Sequence, residues 1–169
     1  MKIMIKITKY ILPLLAFMII SACSNDDEPS SGSGSNGTSN GSLEKNLKEV
    51  INKVPKKWGC SYSDNRDTMK ASTWSDYEFI NTPMLYDVYY NINSSIYIIY
   101  GFESSKLMAV NISFPRDNNF DHQNFFKDYE YLGYASDNHV YLDNSNNLIY
   151  SYYRSLSSKL SAIIITPLE

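Results

Sequence analysis

The stretch IYIIYGFESSKLMAVNISF, residues 96–114, decides the fold because it returns later in the chain as IYSYYRSLSSKLSAIIITP, residues 149–167. The two stretches align without a gap. They are identical at Ile96/Ile149, Tyr97/Tyr150, Tyr100/Tyr153, Ser104-Ser105-Lys106-Leu107/Ser157-Ser158-Lys159-Leu160, Ala109/Ala162 and Ile112/Ile165. Upstream, DYEF at 76–79 returns as DYEY at 128–131, one residue out of register. This pattern indicates an internal repeat, with a single insertion in the loop between the two matched segments.

Each copy of the repeat predicts a short capped helix, at 64–72 in the first copy and at 121–128 in the second, followed by three strands. Tyr, Ile and Val dominate the predicted strands, and the polar sequences NINS, ESS, NSNN and LSS separate them as turns. The predicted strands are 84–90, 96–102, 107–114, 139–143, 148–154 and 161–166. The repeating unit is therefore a helix followed by an antiparallel meander.

One such unit cannot bury both its sheet face and its helix well, so two units are expected to share a core. The sequence predicts an α+β fold in which two tandem repeats, at about 56–115 and 116–169, form one antiparallel sheet. The helices are expected on one face of this sheet, and the other face is expected to be open. Before the repeats, hydrophobic residues at helical spacing predict a helix over 43–54, with Ser42 as its cap and Pro55 as its stop.

The first residues, 1–22, have the pattern of an export signal. Lysines at the start precede an apolar stretch, residues 11–20, that is too short to span a bilayer. The sequence Ile20-Ser21-Ala22-Cys23 resembles a bacterial lipobox, in which small residues precede a cysteine that is acylated and becomes the mature N-terminus. The resemblance implies that acyl chains on Cys23 anchor the protein at a membrane. An ordinary secretory signal with an incidental cysteine is the alternative.

Residues 23–42 are dominated by Ser, Gly and Asn and are expected to form a flexible tether before a single folded domain, 43–169. The acidic cluster Asp26-Asp27-Glu28 is similar to the surface-export tag of Bacteroidetes lipoproteins. This similarity implies an outer-membrane protein displayed at the cell surface, with a periplasm-facing protein as the alternative. Without the signal, the chain carries 12 Lys+Arg against 18 Asp+Glu, which argues against nucleic acid as a partner.

The residues that usually carry chemistry are few. His122 and His139 do not stand in a metal-ligand spacing. If Cys23 carries lipid, Cys60 has no partner for an intrachain disulfide, and no signature of a thiol nucleophile flanks it. The loop that begins at Asp143 lacks the glycine and glutamate of a calcium loop and is interpreted as a hairpin turn. The sequence therefore predicts a protein that is not an enzyme, with no metal and no cofactor.

Tyrosine is the residue type that favours a binding surface in this chain, which contains 15 of them. A tyrosine offers an apolar ring together with a hydroxyl that forms hydrogen bonds. We expect Tyr97, Tyr150, Tyr152 and Arg154 to form an exposed binding face; the alternative is that they pack at a sheet edge or under a loop. Separately, Asp67-Thr68-Met69 is similar to Bacteroidetes O-glycosylation sites, which makes Thr68 a candidate for modification.

Residues 56–167 resemble the tandem helix-plus-meander repeats of the beta-lactamase inhibitory protein and of the small outer-membrane lipoproteins called BamE or SmpA. The helix start RDTMK, residues 66–70, after WGCS, residues 58–61, carries this likeness. The chain also resembles exported Bacteroidetes lipoproteins of unknown function. These resemblances imply a lipid-anchored protein with an antiparallel sheet, and they transfer no catalytic residue.

The first functional hypothesis is a non-catalytic module that binds a protein or peptide, or serves in assembly, at the cell envelope. A glycan-binding accessory lipoprotein is the alternative, because aromatic side chains on an open face also suit sugar rings. A hydrolase is the third possibility, and the sequence supports it least.

Overall fold

The computed structural model describes residues 40–70, 74–80, 86–155 and 159–168, which form an α+β fold with one eight-stranded antiparallel sheet. The helices among these residues are α1 (Asn40–Lys53), α2 (Tyr62–Met69) and α3 (His122–Phe125). The strands are β1 (Glu78–Ile80), β2 (Tyr86–Asn91), β3 (Ile96–Glu103), β4 (Lys106–Pro115), β5 (Glu130–Ala135), β6 (Asn138–Asp143), β7 (Leu148–Arg154) and β8 (Leu160–Pro167). None of the described helices combines the length and apolar character needed to cross a membrane.

The sheet consists of two meanders that meet in the middle, because its strand order is β1-β2-β3-β4-β8-β7-β6-β5. The central pair is β4 and β8, in which Asn111 lies opposite Ile164. Each half contains four strands where the sequence predicted three. The strands that the sequence did not predict, β1 and β5, follow the two aromatic DYE segments and form the two outer edges of the sheet.

Small polar residues form the hairpin loops. Ser104-Ser105 and Ser136-Asp137 are two-residue loops with both φ angles between 50° and 63°, the left-handed geometry that matches the twist of a tight hairpin. The β2–β3 and β6–β7 loops have four residues each. There Asn91 and Asp143 use Oδ1 to accept the backbone N–H groups two and three residues on. The prediction that Asp143 begins a hairpin turn is confirmed, and the predicted LSS turn lies outside the described residues.

The helix α1 begins at Asn40, so Ser42 lies inside the helix and is not its cap. Residues 40–42 of the predicted tether are therefore helical. Leu47 and Ile51 from this helix are buried against the sheet. The helix ends at Lys53, before Pro55 as expected, and the ammonium group of Lys56 donates hydrogen bonds to the carbonyl oxygens of Ile51 and Val54. This cation satisfies carbonyl groups that the end of a helix leaves free.

The two short helices have unequal lengths. Ser61 caps α2 by accepting the backbone N–H of Asp64, whose carboxylate accepts the N–H of Ser61 in return. Asp121 caps α3 by accepting the N–H groups of Gln123 and Asn124. Because α2 has eight residues and α3 only four, the second half of the sheet is covered by a much shorter helix than the first.

All three helices pack on the same face of the sheet, which we call the helix side. Its core joins Leu47 of α1, Met69 of α2 and Phe125 of α3 to alternate residues of the strands. The other face, which we call the second face, holds two small apolar clusters, centred on Ile99 and Ile164. Both isoleucines are buried, so the centre of the second face is not open as the sequence predicted.

The gapless alignment of the two repeated stretches does not hold for their first strands. Ile96 belongs to the helix-side core, whereas its aligned partner Ile149 lies on the second face. Tyr97 lies on the second face, whereas its aligned partner Tyr150 lies on the helix side. The cause is a register shift between Gly101 and Phe102 in the pairing of β3 with β4, because a shift of one residue moves side chains to the opposite face.

A buried carboxylate ties α2 to the sheet. Asp87 on β2 is fully buried, and its Oδ1 accepts hydrogen bonds from Nε of Arg66 at 2.9 Å and from NH2 of Arg66 at 2.6 Å. Its other oxygen has no hydrogen-bond partner among the described residues. The arginine is 43% exposed, so water solvates the cation but not the anion. The arginine therefore offsets the buried negative charge of Asp87, whose burial without a partner would be strongly unfavourable.

Replacing Arg66 by leucine should destabilise the protein by about 2 to 3 kcal/mol, because it leaves the Asp87 carboxylate buried and unpaired. The free energy of unfolding, measured by urea denaturation, tests this. The double variant Arg66→Leu/Asp87→Leu should recover most of the loss, since it removes the buried charge as well. Lys70→Leu is the matched control: its pair with Asp67 is exposed on both sides, and we expect no measurable change. A single variant as stable as the wild type would contradict the role of this pair.

Candidate functional site

The four residues of the predicted binding face do not share a surface. Tyr150 and Tyr152 are only 3% and 2% exposed, because their strand places them in the core beneath the helices. Tyr97 lies on the second face, half-buried, with its ring stacked 4.4 Å from that of Tyr90. Arg154 is exposed and donates a hydrogen bond to Oδ1 of Asn118 at 2.8 Å. The predicted exposure of Tyr150 and Tyr152 is wrong because alternate residues of β7 face the helix-side core, and the register shift explains why Tyr97 does not share their face.

Two other residues considered in the sequence analysis, Thr68 and Cys60, lie within α2 and in the loop just before it. Thr68 is exposed on α2, and its hydroxyl donates to the backbone oxygen of Asp64 at 2.8 Å. Cys60 lies in the loop before α2, where burial chiefly, and the Asp64 carboxylate next, raise the pKa of its thiol. A raised pKa keeps the thiol protonated and unreactive at neutral pH. The predicted signal, residues 1–22, and the lipidation site Cys23 lie outside the described residues.

Exposed apolar side chains gather instead on the edge strand β5. Tyr131, Leu132 and Tyr134 are 49%, 41% and 61% exposed, and we call them the edge patch. The pairing of β5 with β6 shifts register between Tyr131 and Gly133, which leaves Leu132 as an extra residue. Gly133 has φ of +120°, a conformation that side-chain-bearing residues rarely adopt. Bulges of this kind occur at sheet edges and redirect a side chain.

Two stacked histidines lie beside the edge patch, and we call them the histidine stack. The ring of His122 on α3 lies 4.0 Å from the ring of His139 on β6. The hydroxyl of Tyr141 lies 2.6 Å from Nδ1 of His122, and the hydroxyl of Tyr131 lies 3.1 Å from Nδ1 of His139. The ring of Tyr134 also packs 4.9 Å from that of His139. The histidine stack therefore packs against two tyrosines of the edge patch, Tyr131 and Tyr134, through His139.

The histidine stack suits packing better than metal binding. Near-parallel rings direct their nitrogens side by side rather than toward one point, and the described residues contain no group of three His, Cys, Asp or Glu side chains that could hold a metal ion. Burial lowers the pKa of His122, with a further contribution from His139, while Asp121 opposes it. Burial also lowers the pKa of His139. The neutral form of both rings is therefore favoured in the folded protein.

Sequence reasoning missed both the edge patch and the histidine stack. The seventeen-residue separation of His122 and His139 gives no periodic signal, because one stands on a helix and the other on a strand. The short α3 brings His122 over β6, and only the tertiary fold shows this. The signal that could have found the edge patch is the sequence EYLGYA, residues 130–135, whose tyrosines follow the repeated DYE segment.

No protein-family model matches this chain, and the searches of curated proteins and of solved structures found no significant match either.

Stability should fall as the pH drops below about 6.5, the ordinary pKa of histidine, because the unfolded chain binds protons before the folded protein does. The loss should grow until the pH reaches the lowered folded-state pKa values. We expect it to stay below about 1 kcal/mol for each ring, since both are partly solvated. Urea denaturation at a series of pH values measures it.

The double variant His122→Gln/His139→Gln is the control for this pH dependence. It removes both imidazoles, so the decrease in the free energy of unfolding between pH 7 and pH 5 should become smaller than in the wild type. The same decrease in both proteins would show that other groups cause it.

Proposed function

We propose that this chain is a lipoprotein, anchored through acyl chains on Cys23, that binds a protein or peptide partner through the edge patch without catalysing a reaction. The signal at 1–22, the tether that follows it and the acidic cluster after Cys23 support an outer-membrane protein displayed at the cell surface. The buried, protonated thiol of Cys60 and the non-convergent histidines support a role in binding rather than in catalysis.

The distribution of exposed apolar residues is the observation that carries this proposal. Six large hydrophobic side chains of the described residues are exposed, and five of them lie on the two edge strands. They are Phe79 and Ile80 on β1, and Tyr131, Leu132 and Tyr134 on β5; the sixth, Ile92, stands in a loop. Proteins usually protect sheet edges with charged residues, so apolar edges indicate a surface that a partner covers.

Strand β5 is the better candidate of the two edges. It has six residues against three in β1, so it offers a partner more backbone as well as more side chains. The ring of Phe79 on β1 already lies beneath the guanidinium group of Arg66, 5.0 Å away. A partner strand added to β5 would bury the edge patch and pair with backbone groups that no described strand pairs with.

The proposal includes the duplication of an ancestral unit, which the loop geometry supports. Asn91 and Asp143 are 52 residues apart and each begin a four-residue loop with the same hydrogen bonds. The last residues of these loops, Ser95 and Asn147, have φ angles of 53° and 52°. Strands β1 and β5 pair with their neighbours at the same spacing, Glu78 with Tyr90 and Glu130 with Leu142. These matches extend the one between DYEF and DYEY.

In the central strands β4 and β8, equivalent positions of the two halves are 53 residues apart instead of 52. Val110 pairs with Ile165, and Ile112 pairs with Ile163. Ile163 lies 53 residues after Val110, and Ile165 lies 53 residues after Ile112, so each pair joins the equivalents of the other pair. Asn111 and Ile164, which are 53 residues apart, face each other at the centre. The change of spacing from 52 to 53 therefore falls at the bulge in the pairing of β3 with β4, between Gly101 and Phe102, rather than in the loop after DYEF as the sequence suggested. On this interpretation, the two units resemble the tandem repeats of BamE-like lipoproteins in architecture.

Site-specific photo-crosslinking in cells of the native host tests partner binding. A photoreactive amino acid at Leu132 or Tyr134 should form an adduct with one defined polypeptide, because both side chains are exposed on the edge patch. The double variant Leu132→Ser/Tyr134→Ser, measured with that purified polypeptide, should bind about tenfold more weakly or worse. Mass spectrometry identifies the adduct, and a titration measures the affinity.

Position 92 provides the matched control for the crosslinking experiment. Ile92 is an exposed hydrophobic residue like those of the edge patch, but it lies in the β2–β3 loop. The same reagent there should give no adduct with that polypeptide. Equal adducts at positions 92 and 134, or none at 132 and 134, would contradict binding at the edge patch.

The lipid anchor predicts a defined N-terminus. Mass spectrometry of the mature protein should find a first residue Cys23 that carries acyl chains, because the lipobox cysteine is acylated before the signal is removed. The variant Cys23→Ala should keep residues 1–22 and carry no acyl chain, because the thiol that receives the lipid is absent. A free thiol at Cys23 in the mature protein would contradict the anchor.

A further inference from the structure

A groove of about 930 Å³ lies between α1 and one end of the sheet, away from the edge patch. Asn46, Glu49 and Lys53 of α1 line one wall. The opposite side is formed by the β2–β3 loop and by residues 115–119, which are the last residue of β4 and the segment that follows it. This volume is near the upper end of the range for pockets that bind small molecules.

Two aromatic side chains line the groove. Trp74 is buried, and its ring meets that of Tyr77 edge to face, with the centroids 5.4 Å apart. Tyr77 is half-buried, so part of its ring remains accessible. Burial raises the pKa of Tyr77 to about 12, and its hydroxyl therefore stays protonated at physiological pH and can donate a hydrogen bond. The groove thus contains a firmly packed aromatic ring with a polar end.

The rest of the lining is polar and rich in amides. Among the described lining residues, eight carry an amide or hydroxyl side chain and four are aliphatic. Asn46, Asn93 and Asn119 are exposed. An amide side chain carries both donors and an acceptor, so it can bond neighbouring hydroxyl groups that act in both roles. A peptide anchors by apolar side chains, and this groove has few places for them.

The charges of the groove favour a neutral ligand. Three carboxylates, from Glu49, Asp76 and Asp117, are offset by two cations, from Lys53 and Arg116. Glu49 and Lys53 already pair with each other at 2.6 Å. Among the described lining residues there is no excess of positive charge to bind a phosphate or a polyanion, and the acidic excess is too small to select a cation.

We infer that this groove binds a neutral saccharide, with a sugar ring against Tyr77 and with its hydroxyls bonded to the asparagine amides around the rim. This site is separate from the edge patch and goes beyond the proposed partner binding. It also gives the glycan-binding alternative of the sequence a location that the predicted tyrosine face did not supply.

Isothermal titration of the full chain with maltotriose, cellotriose, mannotriose and triacetylchitotriose tests the inference. The protein should be purified in a detergent without a sugar headgroup, so that the detergent cannot occupy the groove. At least one of these probes should bind saturably, and Tyr77→Ala should weaken that binding about tenfold, because the variant removes the aromatic surface. Tryptophan fluorescence of the Trp58→Phe variant, in which Trp74 remains, should change over the same concentration range.

Tyr134→Ala is the matched control, because it removes an exposed tyrosine outside the groove, and it should leave the affinity unchanged. If Tyr77→Ala does not fold, the loop variant Asn93→Ala provides a second test and should weaken binding several-fold, since it removes one exposed amide. Absence of saturable binding for all four probes up to about 10 mM would overturn the inference. Equal loss of affinity in Tyr134→Ala would overturn it as well.

Discussion

The register of the central strand pair is the constraint on which the rest of the structure depends. In β4 and β8, Asn111 faces Ile164, and this pairing decides which residues of both strands point toward the helices. Every other strand takes its position by pairing outward from these two. Because side chains alternate between faces, an error of one residue in this pair would turn the core residues Ile112 and Ile163 to the wrong side. The hydrophobic core and the strand register therefore specify each other.

The two halves of the sheet are covered by short helices of unequal length, eight residues in α2 and four in α3. The eight residues of α2 reach far enough for Arg66 to pair with Asp87 and to cover Phe79 at the edge. The helix α3 has only four residues, and its His122 stacks on His139, which in turn contacts Tyr131 and Tyr134 of β5. The tyrosines of β5 remain accessible. The half of the sheet with the shorter helix therefore carries the most exposed edge side chain, Tyr134, at 61%.

Much of the fold could be predicted from the sequence, because turn residues and β-branched runs are local signals. Strand β7 covers the predicted residues, and the ends of the other predicted strands differ from the prediction by at most one residue where the structure describes them. The faces could not be predicted. The identities between 96–114 and 149–167 place equivalent residues 53 positions apart. In the structure, equivalent positions of β3 and β7 are 52 residues apart, and the bulge between β3 and β4 accounts for the difference. Side-chain orientation depends on that single residue, so the predicted site failed although the strands were found.

The edge patch and the groove differ in chemistry in a way that suits two kinds of ligand. The edge patch is apolar and lies on a strand whose outer backbone groups pair with no other described strand, which favours a polypeptide. The groove is lined by amides with nearly balanced charge, which favours a neutral ligand rich in hydroxyl groups. The two surfaces share no residue, so a ligand at one does not displace a ligand at the other.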